Sequence, residues 1–204
     1  MTFAQNAKAV LTSIAENAET SRCPDQLVGP IVDFDAKEVD FPYRLPATTI
    51  AETQNRRLVL VLESPHKAEF DLPKEPGPAK GKTGKNIRQY SSQIEALRDF
   101  TQYPVLLMNA IQYQCSLGFS TRKFRDKVFL KLWSEGGKEN FMARLNSYCD
   151  SNAVIVNCCT KGNQSQELRS RVHNAIEELQ LNATIIKRGH PVTWSIKNRR
   201  NKPW

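Results

Sequence analysis

The chain has 204 residues, 40% hydrophobic and 25% charged, with 29 lysines and arginines against 21 acids and a formal net charge of +8. That length suits one domain with a sizeable core, and the composition is that of a globular chain rather than a disordered or fibrous one. No apolar run approaches the roughly 18 residues a membrane helix needs, and the amino terminus has acids and no cleavage pattern after an apolar core, so a cytoplasmic protein without a membrane partner, monomeric, is expected.

Residues 3–19 read as an amphipathic helix with Phe3, Ala7, Val10, Leu11 and Ile14 on one face. Residues 20–57 are irregular, rich in Pro and Asp, and read as a segment that wraps the domain. Four apolar runs follow: LVLVL (58–62), PVLLMNA (104–110), AVIVNCC (153–159) and ATIIKR (183–188). Each is short, non-alternating and rich in Leu or β-branched residues, the pattern of strands buried on both faces of a parallel sheet. Helical patterns lie between them, over residues 86–100, 121–133, 138–150 and 165–181. Alternation of strand and helix predicts a single three-layer α/β/α domain over residues 1–204, with a central four-stranded, mainly parallel sheet in the core of residues 58–204.

The five cysteines are scattered and form no CxxC pair, so they read as free thiols, and neither a metal site, an iron–sulfur cluster nor any other cofactor is expected. Basic charge concentrates in two segments. KEPGPAKGKTGKNIR (74–88) carries Lys74, Lys80, Lys82, Lys85 and Arg88, and KRGHPVTWSIKNRRNKPW (187–204) carries Lys187, Arg188, Lys197, Arg199, Arg200 and Lys202. Together they hold 11 of the 29 basic residues, a distribution that favours phosphate contact over an evenly solvated surface. GPAKGKTGK is not a phosphate-binding P-loop: Gly84-Lys85 is followed by Asn86 rather than Ser or Thr, and the loop does not join strand one directly to a helix.

In open α/β sheets, ligands bind beyond the carboxyl ends of the strands. Those ends carry Glu63, Ser64, Pro65 and His66 after the first strand, Asn109 on the second, Asn157 and Thr160 around the third, and Gly189, His190, Pro191 and Trp194 after the fourth. None of these polar groups serves a core. A carboxylate stabilises a developing cation, an amide reads a base edge, and a neutral imidazole donates to an oxygen gaining negative charge. That set suits cleavage of an N-glycosidic bond, with the basic loops on a nucleic-acid backbone.

Three motifs resemble those of the uracil-DNA glycosylase superfamily, in the family's order. VLESPH is similar to the strand-GQDPYH or strand-GEAPG motif, PVLLMNAIQ to the LLLNxVL strand, and GHPVTWS to HPSPLS. The loop GPAKGKTGKNI is similar in position to GxPFxGxAGxxL. The resemblance runs over residues 58–195, about two-thirds of the chain. It implies a DNA glycosylase that flips a base out of the stack. In that reading Glu63 holds the acidic role, with Asp71 in reserve, and Ser64 stands where one branch has a water-activating Asp. Asn109 reads the base edge and His190 stabilises the departing base. Trp194 is the wedge that fills the stack, Ser195 contacts a phosphate, and Lys80, Lys82, Lys85, Arg199 and Arg200 hold the DNA backbone.

The departures bear on substrate. His66 replaces the Tyr that walls off C5 of uracil, and the Lys- and Gly-rich loop lacks the stacking Phe, for which Phe70 or Tyr90 is a substitute. A base with a polar group at C5, such as the hydroxymethylated or glucosylated cytosine of some phage genomes, is therefore the expected substrate, as in a defence against phage DNA. The alternatives are a repair glycosylase for uracil or another deaminated base, a non-catalytic DNA-binding module of the same fold, and an unrelated α/β enzyme acting on nucleotides.

Overall fold

The computed structural model describes residues 2–29, 41–49, 57–70, 75–101, 103–150, 152–163 and 167–204. Six strands form one mixed sheet: β1 (Gln26–Gly29), β2 (Tyr43–Pro46), β3 (Leu58–Leu62), β4 (Val105–Asn109), β5 (Val154–Asn157) and β6 (Thr184–Lys187), in the order β2-β1-β4-β3-β5-β6. The helices are α1 (Phe3–Ile14), α2 (Lys82–Tyr90), α3 (Arg125–Leu132), α4 (Lys138–Tyr148), α5 (Leu168–Glu178) and the short α6 (Lys197–Arg200). Among the described residues no helix is long and apolar enough to cross a membrane.

The expected α/β class stands, but the sheet is six-stranded and mixed rather than four-stranded. β3, β4, β5 and β6 run parallel, while β1 lies antiparallel to both β2 and β4, with Leu27 opposite Leu45 on one side and Leu106 on the other. The two extra strands come from the stretch read as an irregular wrap. Their signal is weak for physical reasons: each spans only four residues, β1 follows Pro24, and β2 is an edge strand whose residues stay largely exposed and which ends on Pro46.

Strand pleating sorts the apolar residues onto two faces. Val59 and Val61 join Leu106, Met108 and Ile155 in a core covered by Leu11 of α1, Phe129 of α3, Phe141 of α4 and Val172 of α5. Leu58, Leu60 and Leu62 join Leu107 and Val156 in a second core, covered by Ile87 of α2, by Ile94 and Leu97, and by Trp194. The helix expected at 86–100 is shorter and begins earlier. α2 starts at Lys82 and gives way after Tyr90 to two 3₁₀ stretches.

The path through the parallel strands places the site. The chain passes from β3 to β4 on one side, then crosses back to β5 on the other side of β3. Strand order therefore reverses at β3, and in an open α/β sheet the crevice beyond the carboxyl ends at such a reversal is where a ligand is received.

Candidate functional site

A cleft of about 490 Å³ lies at this reversal. Its lining comes from every parallel strand end: Glu63, Ser64, Pro65 and His66 after β3, Ser116 and Thr121 after β4, Thr160 after β5, and His190 and Val192 after β6. Glu69, Lys80, Lys82, Thr83 and Arg125 complete it.

The backbone beyond β3 is pinned from both sides. Ala110 N–H donates to the Leu62 carbonyl at 2.8 Å, Ile111 N–H to the Glu63 carbonyl at 3.0 Å, and Cys158 N–H to the Val61 carbonyl at 2.8 Å. Glu63 is thus held on the cleft floor, 4% exposed. Its carboxylate lies 3.3 Å from Arg125 Nε, accepts from Ser64 Oγ at 3.2 Å, and accepts from the Thr160 hydroxyl. Burial pushes its pKa up, while Arg125 and the two hydroxyls pull against that shift. Arg125 also meets Asp126 at 2.8 Å, and Asp126 in turn accepts from the Asn163 N–H.

A second buried carboxylate stands nearby in a different setting. His66 caps a single 3₁₀ turn, Lys67–Glu69, by accepting from the Ala68 N–H at 3.3 Å, and that turn points Glu69 inward. Glu69 accepts from the Ala79 N–H at 2.9 Å and from Asn109 Nδ2 at 3.4 Å, and Cys23 Sγ lies 3.9 Å away. Burial raises its pKa to about 8, so it holds a proton at neutral pH.

His190 opens a 3₁₀ turn, Pro191–Thr193, and its Nδ1 accepts from the Val192 N–H at 3.3 Å. Burial, with the charge of Arg125 added, lowers its pKa to about 4. The ring is therefore neutral at pH 7 and, with Nδ1 accepting, carries its proton on Nε2. Asn86 of α2, itself buried, fixes this turn by donating to the carbonyls of Pro191 and Val192 at 2.9 and 3.1 Å. Gly81 and Gly84, at the start of α2, serve backbone geometry and close packing. Gly81 takes φ +73 to start α2, and a Cβ on Gly84 would collide with the Ala79 carbonyl oxygen.

Glu63, Ser64, His66, Lys80, Lys82 and His190, all singled out from sequence, thus share one cleft. Others do not join them. Asn109 is 1% exposed behind Glu69, and its Nδ2 is engaged by Glu69 and Cys23, so it does not present an edge to the cleft. Trp194, expected as the wedge, is fully buried in the second core with its indole N–H on the Gly189 carbonyl at 2.8 Å, and its ring is not presented at the surface. Arg200 is buried too, donating to the Trp194 carbonyl at 2.7 Å and to Gln93, and lying 4.4 Å over the Tyr90 ring. Phe70 is half-buried and outside the lining, while Lys85, Ser195 and Arg199 are exposed away from it. Asp71 and Lys74 lie outside the described residues.

Glu69, Arg125, Ser116 and Thr121 are lining residues that the sequence does not single out, and Thr160, noted at a strand end, carries no expected role there. Thr160 has a local signal, since it follows the third apolar run. Glu69 depends on the turn that His66 caps, and Arg125 on how α3 docks. All five cysteines are free, and among the described residues no three His, Cys, Asp or Glu side chains gather as a metal site.

The fold and cleft define an α/β protein with a cation-edged site at a sheet switch point. No family model matches the chain, and neither a curated protein nor a solved structure matches it.

Proposed function

We propose that the protein is a DNA glycosylase that receives a pyrimidine, flipped from DNA, in the cleft beyond β3 and hydrolyses its N-glycosidic bond. The observation that carries this reading is the meeting of Glu63 and a neutral, Nε2-protonated His190 across one cleft edged by Lys80 and Lys82. The motif resemblance points the same way. As the bond breaks, the sugar gains positive charge and the base gains negative charge. Glu63 supplies the negative field for the first, and His190 Nε2–H donates to the base oxygen for the second. Water adds to the anomeric carbon, its proton passes to solvent or the departing base, and an abasic site remains. Glu69 lines the cleft and takes the base-reading role first expected of Asn109, which holds it from behind.

The substrate class follows from the wall. Among the described lining residues the aromatic rings are the imidazoles of His66 and His190, and a volume of about 490 Å³ is of the size that takes a drug-sized ligand. A cytosine carrying a hydroxymethyl or glucosyl group at C5, as in phage DNA, suits a cleft of that size edged by Lys80 and Lys82. The test is a glycosylase assay on matched duplexes containing uracil, cytosine, hydroxymethylcytosine or its glucosylated form, with alkali breaking any abasic site. Cleavage of a C5-modified duplex alone is expected, and cleavage of uracil alone would make this a repair enzyme.

One observation favours a second reading, a DNA-binding module without catalysis. Glu63 is already occupied by Arg125, Thr160 and Ser64, and Ser64 itself has no carboxylate. DNA binding with no cleavage of any of the four duplexes would establish it.

A further inference from the structure

The loop after β4 enters the cleft wall at Ser116, leaves it at Thr121, and between them turns Phe119 outward. The turn has a definite mechanism. Leu117 and Gly118 both have positive φ, +53 and +79, and Phe119 N–H returns to the Ser116 carbonyl at 3.0 Å, the geometry of a type I′ turn. A leucine in the left-handed region is unfavourable. It is held there because its side chain is buried, 5% exposed, in the core beside Cys115 and Phe129. Driving Leu117 inward throws Phe119 outward, where it is 53% exposed.

Phe119 is not isolated. Its ring meets Phe124 edge-on at 5.4 Å between centroids, and Lys123 Nζ lies 4.7 and 5.0 Å from the two ring centroids. The loop is set by Lys123 N–H on the Ser120 carbonyl at 2.9 Å and by Asn163 Nδ2 on the Thr121 carbonyl at 3.4 Å. Residues 116–124 carry Arg122 and Lys123 and no acid. An exposed aromatic ring with the Lys123 ammonium against it, beside a cleft, complements a partner with flat π-faces and a polyanionic backbone.

We infer that Phe119, braced by Phe124 and Lys123, is the stacking platform for a base next to the one received by the cleft. This rests on the nucleic-acid reading above. Arg122 and Lys123 sit where that strand's phosphates pass.

The test is anisotropy binding to a fluorescein-labelled duplex with a central abasic-site analogue, and to the same strand alone. A 2-aminopurine beside the analogue reports stacking. Phe119→Ala is expected to weaken binding roughly 5- to 100-fold and to abolish the stacking quench, while Phe119→Trp retains both. Tyr103 is equally exposed, at 53%, but lies before the amino end of β4, so Tyr103→Ala serves as the control and leaves binding unchanged. If the unaltered protein binds the duplex and Phe119→Ala binds as well with quench intact, the platform is wrong while the DNA reading stands. If the unaltered protein binds neither probe, both fail together.

Discussion

Asn86 and His190 are coupled through three hydrogen bonds, none of which joins the two directly. Asn86 Nδ2 donates to the carbonyls of Pro191 and Val192, and the Val192 N–H then selects the His190 tautomer. A buried amide on α2 thus decides which imidazole nitrogen carries a proton.

If the proposed glycosylase activity holds, Asn86→Ala is therefore expected to lower it at least tenfold without a matching loss of DNA affinity. Two buried hydrogen bonds are lost, costing about 2 kcal/mol in stability. The distinguishing readout is the ¹⁵N spectrum of His190, which should shift from a single Nε2–H tautomer to a mixture. An unchanged spectrum would show that α2 does not set the ring.

Glu63 and Arg125 form a buried pair, 4% and 13% exposed in their side chains. Removing only the cation leaves a carboxylate in a poor solvent, so Arg125→Met is expected to cost about 3 kcal/mol at neutral pH. Glu63→Gln should cost less and abolish cleavage. In the double variant the losses should fall well short of additive, as measured by urea unfolding. Strict additivity would mean that the two side chains do not interact.

Two cleft groups give opposite pH dependences. His190 has its folded pKa lowered from 6.5 to about 4, so the unfolded chain takes up the proton first and stability drops as pH falls through that window. Glu69 has its folded pKa raised from 4.5 to about 8, so its contribution is full below 4.5 and is lost as pH rises to 8. Between about 4.5 and 6.5 the two oppose each other; from 6.5 to 8 the Glu69 loss stands alone. Denaturation across this range should show a decline above pH 6.5 that Glu69→Gln removes. His190→Asn should remove the acid-side penalty and leave the alkaline decline.

The carboxyl-terminal basic residues divide into two kinds. Arg199 is exposed, and Arg199→Ala should reduce DNA affinity uniformly and lower the salt slope by about 1 without changing the melting temperature. Arg200→Ala should instead destabilise the fold, because it removes donors from the Trp194 carbonyl and Gln93. Trp194→Ala should cost about 3–5 kcal/mol, as expected for a large core residue. A DNA-binding defect in a stably folded Trp194→Ala protein would restore that residue to the interface.

Much of this site was legible because the signals are local. An unbroken apolar run that stops on Glu63, and another followed by His190, mark strand ends, and strand ends in a parallel sheet gather at one edge. What the pattern does not encode is the direction of the last side chain. Asn109 ends β4 level with Leu62 and turns toward Cys23 instead of the cleft. Trp194 sits one residue beyond a 3₁₀ turn, and that turn sends its ring into the core. Glu69 and Arg125 reach the cleft through tertiary docking, for which no spacing rule exists. β1 escaped notice because four buried residues between irregular flanks resemble any packed loop.

That overlooked strand has a consequence for how the chain can be cut. β4 is buried on both faces and pairs with β3 on one side and β1 on the other. A fragment beginning at residue 58, the boundary that the apolar runs suggest, would bare the β4 edge of Val105, Leu106 and Leu107. A bare, leucine-rich edge is a template for strand exchange and aggregation. The amino-terminal strands thus guard the sheet against self-association, and a fragment beginning at residue 58 is expected to aggregate where the whole chain does not.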